Sequence, residues 1–286
     1  MKKMEQLYEG KAKKVFATDD ANLVIVDYKD DEMCIRDRSN AGPSPHSGSS
    51  TRCQSRANTK PSPSWPQGSA RRARRSHERR DGSCFGDGAK KGTIRGKGVV
   101  NNRLSNNLMK MLEGKGVPTH FVEELSDRET LVKKVQIVPL EVIVRNVAAG
   151  SFTKRLGVPE GTVLKCPTLE FSYKNDDLHD PLINHYHALA LGLATQAEID
   201  QISEYAFKVN SILSEYLLGF NIRLIDFKLE FGRLADGTIV LADEISPDTC
   251  RFWDATTGAH LDKDLFRRDL GGEEEAYQEV MARLLG

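Results

Sequence analysis

An α+β fold is predicted by three patterns in the 286-residue chain. Strand-length runs of apolar or alternating residues dominate the first half. Two segments with apolar residues at helical spacing, Gly98 to Gly116 and Thr195 to Gly219, flank a second half of mixed strands and helices. A third stretch, Ile222 to Ala242, reads as two strands around an Ala235-Asp236-Gly237 turn.

Leu7 to Phe16 reads LYEGKAKKVF, two strands with Gly10 between them. Lys11 and Lys13 would share a face, with Lys14 opposite. Backbone N–H groups and ammonium charges laid out this way suit a polyphosphate, and a solvated lysine loop is the plain alternative. Ala21 to Tyr28 is a further apolar strand. From Arg38 to Gly82 the chain has no Val, Ile, Leu, Phe or Met. Such a segment cannot bury enough apolar surface to offset the entropy of ordering it, so disorder is expected. Residues 32–82 carry 11 Lys and Arg against 4 Asp and Glu, and the rest of the chain carries 30 against 37. The zero net charge therefore conceals a basic segment and an acidic body. A basic arm for nucleic acid is one reading, but Trp65 is the only aromatic there apart from two His, which leaves no stacking platform. An insertion or out-of-frame stretch without a selected role is the preferred reading.

Order resumes at Phe85 to Gly92. Val100, Leu104, Leu108, Met111 and Leu112 mark a helix, with Gly114 as its stop. His120 to Glu123 and Thr130 to Val138 read as strands. In Pro139 to Ser151, Val142 and Val144 fall on one side of a strand, Ile143 and Arg145 on the other. Ala148-Ala149-Gly150-Ser151 then leads into a short helix, Phe152 to Leu156, whose start suits an anion. An arginine snorkelling from a strand end is the alternative. Leu164 to Lys174 alternates again and runs into Asn175 to Pro181. Thr195 and Glu198 form a capping box that opens a helix through Ile199, Ile202, Ala206, Val209, Ile212, Leu213 and Leu217, ended by Gly219. Trp253 to Arg268 reads as irregular, and Glu273 to Leu285 as an amphipathic helix.

The chemistry concentrates after Ile222. Asp226, Lys228 and Glu230 alternate with Phe227, Leu229 and Phe231, so one strand face is charged and the other apolar. Thr238 to Ala242 ends in Asp243-Glu244, and hairpin pairing brings these acids near Glu230. Crowded carboxylates repel unless a cation sits between them, and Mg²⁺ is the usual choice where phosphates also bind; a solvated strand face is the alternative. Ser246 to Arg251 adds a hydroxyl, an acid and a guanidinium, a set suited to an anionic ligand. No apolar run reaches the length of about 18 residues that a membrane span needs. The N-terminus lacks the apolar core of a signal peptide. Five cysteines without a CxxC pair argue for reduced thiols in a cytoplasm rather than a zinc site or disulfide frame.

Ile137 to Ser151 (IVPLEVIVRNVAAGS) and Leu224 to Gly232 (LIDFKLEFG) resemble the two signature segments of the SAICAR synthetase family. LYEGKAKKVF, VVNNRLSNNLMKMLE, ADEISPDTCR and FRRDLGG fit the same family, so the resemblance covers residues 1–31 and about 84–286. It implies a two-lobed, ATP-grasp/kinase-like fold with an antiparallel-sheet N-terminal lobe and a larger α/β lobe. The implied domains are 1–31 with 83–138 as the nucleotide lobe, 32–82 as the insertion, and 139–286 as the substrate and Mg²⁺ lobe. The implied reaction joins L-aspartate to the carboxylate of carboxyaminoimidazole ribotide (CAIR) at the expense of ATP, through an acyl phosphate. Carried over by residue, Gly10, Lys11, Lys13 and Lys174 contact ATP, and Glu230 and Asp243 hold Mg²⁺. Lys228 and Asp226 serve the chemistry, and Arg145, Ser151, Asp248 and Arg251 bind the ribotide. A homodimer is implied, with no nucleic-acid or membrane partner. The chain departs from the family at Glu32 to Gly82, within a loop that borders the family's substrate pocket. Loop closure grows by only about 0.6 kcal/mol per doubling of length, so the fold is expected to survive. Turnover is expected to fall, and to recover when the segment is deleted. A nucleotide-binding relative with impaired catalysis, a nucleic-acid binder and a kinase-like phosphotransferase are the alternatives.

Overall fold

The computed structural model describes residues 1–35 and 89–286. In chain order these form β1 (Lys3–Glu9), β2 (Lys13–Thr18), β3 (Leu23–Tyr28), β4 (Asp31–Ile35), β5 (Ala89–Thr93), α1 (Lys97–Gly114), β6 (Phe121–Glu124), β7 (Glu129–Lys133) and β8 (Gln136–Val147). There follow α2 (Ser151–Leu156), β9 (Val163–Tyr173), β10 (Leu182–Ile183), α3 (His185–Ala190), α4 (Gln196–Leu218), β11 (Ile222–Arg233), β12 (Ile239–Ala242), β13 (Cys250–Asp254), α5 (Asp264–Arg267) and α6 (Glu273–Leu285). The strands make a five-stranded antiparallel sheet in the order β1-β2-β3-β7-β6, and a pair, β4-β5. A six-stranded antiparallel sheet has the order β10-β9-β8-β11-β12, with β13 also on β11. Among the described residues no helix is long and apolar enough to cross a membrane.

Strand alternation explains the central strands. On β11, Phe227, Leu229 and Phe231 enter the main core, each at most 1% exposed, while Asp226, Lys228 and Glu230 face a cleft. On β8, Val138, Leu140, Val142 and Val144 are buried in the same core, and Ile137, Glu141, Ile143 and Arg145 face the cleft. Against that core pack the α4 stripe Ile199, Ile202, Ala206, Val209, Leu213 and Leu217, and Val100, Leu104, Leu108 and Leu112 of α1. Each such side chain stabilises the fold by about 1.5–3 kcal/mol relative to leaving it in water. Pro139 has no N–H for a ladder and sits where the β8–β11 register shifts between Glu230 and Gly232. The α4 capping box is formed by Thr195 and Glu198 as expected.

Several local expectations change. Thr130 to Val138 is two strands, because the chain leaves β7 at Lys133 and enters the other sheet at Gln136. β8 thus carries the expected 138/139 domain boundary inside it. α1 includes Gly114, and the left-handed residue that follows it is Gly116, φ 79°. After α4 the left-handed residue is Asn221, φ 58°, while Gly219 stays right-handed. Trp253 to Arg268 is not irregular throughout, since β13 ends at Asp254 and α5 spans Asp264–Arg267. Within the expected disordered segment, Glu32 to Ile35 belong to β4. The rest of that segment, and Phe85 to Gly88, lie outside the described residues.

Candidate active site

A cleft of about 1340 Å³ opens between the two large sheets. Gly10, Lys11 and Lys13 line it from the β1–β2 turn and β2. Arg145, Asp226, Lys228 and Glu230 line it from β8 and β11. Lys174, Asp243, Asp248 and Arg251 complete the set. Ser151, the remaining predicted residue, is reached through Arg145, whose Nη2 donates to its Oγ at 3.4 Å.

Sheet register builds one half of this site. Asp226 on β11 pairs with Arg145 across β8 and with Arg251 across β13. Arg145 Nη1 donates to Asp226 Oδ2 at 2.5 Å, and Arg251 Nη1 lies 3.0 Å from both carboxylate oxygens. The outer edges of the two guanidiniums are braced separately. Arg145 Nε donates to Glu170 at 2.9 Å, and Arg251 Nε to Asp264 at 2.8 Å. Two planar cations are thus held in fixed orientation around one buried acid. Gly150 makes room for this arrangement: at φ 55°, a Cβ there would meet Arg251 Cζ at 2.8 Å.

The other half interleaves lysines and carboxylates. Glu230 Oε1 lies 2.6 Å from Lys228 Nζ and 2.8 Å from Lys174 Nζ. Lys228 also reaches Glu141 at 3.2 Å and Asp243 at 3.5 Å. Lys13 bonds Asp243 and lies 3.2 Å from Glu244. Burial works against the Lys228 charge, yet the carboxylates of Glu230, Asp243 and Glu141 outweigh it and hold its pKa above the usual value. Burial likewise opposes ionisation of Asp243, but the Lys13 and Lys228 ammoniums prevail and keep its carboxyl well below the usual range. At Glu244, burial together with the charges of Asp243 and Asp248 wins over Lys13 and raises the pKa. Asp243 occupies a left-handed conformation, φ 57°. The β12 end is thereby turned so that the carboxylate rejoins the cleft, at the expense of some backbone strain.

At the rim, Lys11 Nζ pairs with Asp176 at 3.0 Å, and both are exposed. Asp176 belongs to the turn after Lys174, where Asn175 Oδ1 accepts from Leu178 N at 3.3 Å. Deeper in, Asp248 is 2.8 Å from Lys97 and 2.5 Å from the Tyr277 hydroxyl. A separate trio, His260, Asp262 and Asp264, has ligand atoms within 4.8 Å of one another. Its carboxylates are committed elsewhere. Asp262 accepts from the N–H groups of Phe252 and Asp264, and Asp264 binds Arg251, Arg267 and Arg268. Burial and the Asp264 charge push the Asp262 carboxyl up to about 7.

A family model described as SAICAR synthetase matches residues 72–284. This chain belongs to the SAICAR synthetase family. The phosphoribosylaminoimidazole-succinocarboxamide synthase of Lachnoclostridium phytofermentans is 55% identical over 284 residues, covering 99% of each chain. That of Clostridium botulinum strain Alaska E43 is 51% identical over 284 residues with the same coverage. Among solved structures, a SAICAR synthetase in complex with ADP aligns at TM-score 0.76 and 44% identity, covering 99% of this chain and 98% of the other. The phosphoribosylaminoimidazole-succinocarboxamide synthase of Ehrlichia chaffeensis aligns at 0.77 and 39%, covering 98% of each. Within this member of the SAICAR synthetase family, several residues that line the cleft or brace its side chains escape sequence reading. Glu141 carried a signal, since it alternates with Ile143 and Arg145 on β8. Glu170, Asp264, Lys97 and Tyr277 carried none, because only sheet pairing and helix packing bring them to the motif residues.

Proposed function

We propose that this chain joins L-aspartate to the CAIR carboxylate, forming SAICAR, ADP and phosphate. The observation that carries the reading is the single cleft that presents a double-arginine anion receptor beside a lysine–carboxylate cluster. A carboxylate does not acylate an amine directly, because its leaving group would be oxide. Attack of a carboxylate oxygen on the ATP γ-phosphorus releases ADP and leaves an acyl phosphate. The aspartate amine then attacks the acyl carbon and phosphate departs.

On this reading, Arg145, Ser151 and Arg251 hold the ribotide, with Ser151 and Arg251 toward its phosphate and Asp226 locking both arginines. Asp248 contributes a further ribotide contact. Gly10, Lys11, Lys13 and Lys174 cover the ATP phosphates. Lys228 lies beside the transferring group, where fixed positive charge stabilises the developing negative charge without reorganising. Glu230 and Asp243 fit Mg²⁺: their oxygens already converge on one cationic centre, Lys228 Nζ, and an all-oxygen donor set suits a hard cation. The ion supplies charge neutralisation between phosphate oxygens. On the same reading the five-stranded sheet belongs to the nucleotide lobe and the six-stranded sheet, which the chain enters at Gln136, to the substrate lobe.

We also read the active form as a homodimer and place it in the cytoplasm, which the free Cys166 and Cys250 support. Incubating the full chain with CAIR, aspartate, ATP and Mg²⁺ should release ADP over many turnovers only when both CAIR and aspartate are present, with at most about one ADP per site when aspartate is left out. Sustained ADP release without aspartate would instead mark a phosphotransferase.

A further inference from the structure

Tyr277 lies on α6, near the chain end and outside every motif that marks the cleft. Its side chain is buried, and its hydroxyl donates to Asp248 Oδ1 at 2.5 Å. From the opposite side, Lys97 at the first turn of α1 brings Nζ to 2.8 Å from Asp248 Oδ2. Lys97 is completely buried, and the Asp248 side chain is 5% exposed yet still lines the cleft. Two helices thus grip the two oxygens of one carboxylate.

The two grips differ physically. A buried ammonium is a point charge, so it holds the carboxylate in place and is itself made tolerable by the pairing. A short hydroxyl bond to the second oxygen fixes the plane of the group as well. The position of that hydroxyl follows from helix packing: Ala276, Tyr277, Val280 and Leu284 form the buried face of α6. On the cleft side the Asp248 N–H donates to Ser246 Oγ at 3.1 Å, which ties the same loop to Glu244 through the Ser246 hydroxyl.

We propose that Tyr277 is a positioning residue for the ribotide pocket, acting through Asp248 to orient the carboxylate that meets the substrate. The C-terminal helix then takes part in substrate recognition without touching the substrate. The inference rests on Asp248 being a ribotide contact.

The test compares Tyr277→Phe, Asp248→Asn and the double variant in the full chain, with steady-state constants for CAIR and for Mg–ATP and a thermal melt for each. Tyr277→Phe keeps the ring and its packing and removes only the hydroxyl. It should raise KM for CAIR about tenfold, and leave KM for Mg–ATP within about twofold. The double variant should be no worse than Asp248→Asn alone, since both changes remove one interaction. An unchanged KM for CAIR in Tyr277→Phe, alongside a raised one in Asp248→Asn, overturns the positioning role. So does a rise in both constants that tracks a lowered melting temperature. An unchanged KM for CAIR in Asp248→Asn overturns the ribotide assignment of Asp248 and the inference with it. If Asp248→Asn does not fold, calorimetric binding of CAIR to Tyr277→Phe decides: a loss of about tenfold upholds the role and no loss rejects it.

Discussion

Asp226 is 3% exposed and meets two guanidiniums, so in the proposed anion receptor it is the keystone. Removing one partner of a buried charge cluster is severe because the remainder stays desolvated, at about 2–5 kcal/mol. Arg251→Ala should therefore raise KM for CAIR by about a hundredfold or more and leave KM for Mg–ATP nearly unchanged. The complementary change, Glu230→Gln, should weaken Mg–ATP binding by about tenfold with a smaller effect on CAIR. Isothermal titration of each variant with each ligand separates the two halves of the cleft. If Arg251→Ala binds CAIR as tightly as the parent chain, the receptor assignment is wrong. Residue identity was legible here because the charged alternation at 226, 228 and 230 stands out against Phe227, Leu229 and Phe231. The braces Glu170 and Asp264 were not legible, since nothing in their own neighbourhoods distinguishes them from surface acids.

Elements supply the register that residue chemistry needs. β11 is bordered by β8 along one edge and shared by β12 and β13 along the other, which is why Arg145, Asp226 and Arg251 fall in one row. A slip of one residue would turn the whole row into the core. The junction of α4 with the end of β11 offers a test of how this strand is anchored. Arg233 forks onto Glu198 while Glu198 also accepts from Thr195 in the capping box. The Arg233 hydrogen bond, helped by the Thr195 bonds and opposed by burial, lowers the Glu198 pKa from 4.5 to about 2. A depressed carboxyl contributes stability above its unfolded pKa and loses it as pH falls through the folded value. Arg233→Ala should cost about 1 kcal/mol near pH 7, or about 2–4 °C in melting temperature. That deficit should shrink as pH falls from 4.5 toward about 2. A deficit that is the same at both ends would show that the pair does not stabilise the anchor. The capping box itself was readable from Thr195 and Glu198. Strand β13 was not, because Cys250 to Asp254 is only five residues of mixed character whose pairing with β11 is non-local.

At the scale of the molecule, Met1–Cys34 and Lys90–Gly286 form one compact unit in which the two large sheets face a common cleft. Long-range polar ties join its parts. Asp30, just after β3, accepts from the N–H groups of Gly96 and Gly98 at the start of α1, and Arg128 clamps it with two 2.9 Å bonds. α1 therefore takes its N-terminal cap from a distant strand end, its own Gly96 offering no side chain. Because ligands would bridge such parts only in the folded state, each should raise the melting temperature by mass action. Mg–ATP or CAIR at about one hundred times its dissociation constant should add about 2.7 kcal/mol. The two increments should add when both are present. A scan in which CAIR alone produces no shift, while Mg–ATP does, would leave a nucleotide binder rather than this ligase.

The sequence by itself determined the periodic elements, because a charged-against-apolar strand face, a helical stripe and a capping box are local patterns that the backbone reads within a few residues. It also determined the family, through Ile137 to Ser151 and Leu224 to Gly232. Only the tertiary structure decided which distant side chains hold the site in shape. Lys97, Glu170, Asp264 and Tyr277 meet the motif residues from separate helices and strands, and such meetings depend on sheet order and helix packing that have no period along the chain. It also decided that Asp243 turns back into the cleft through a left-handed residue, because an aspartate can adopt that conformation but no period along the chain announces where it does.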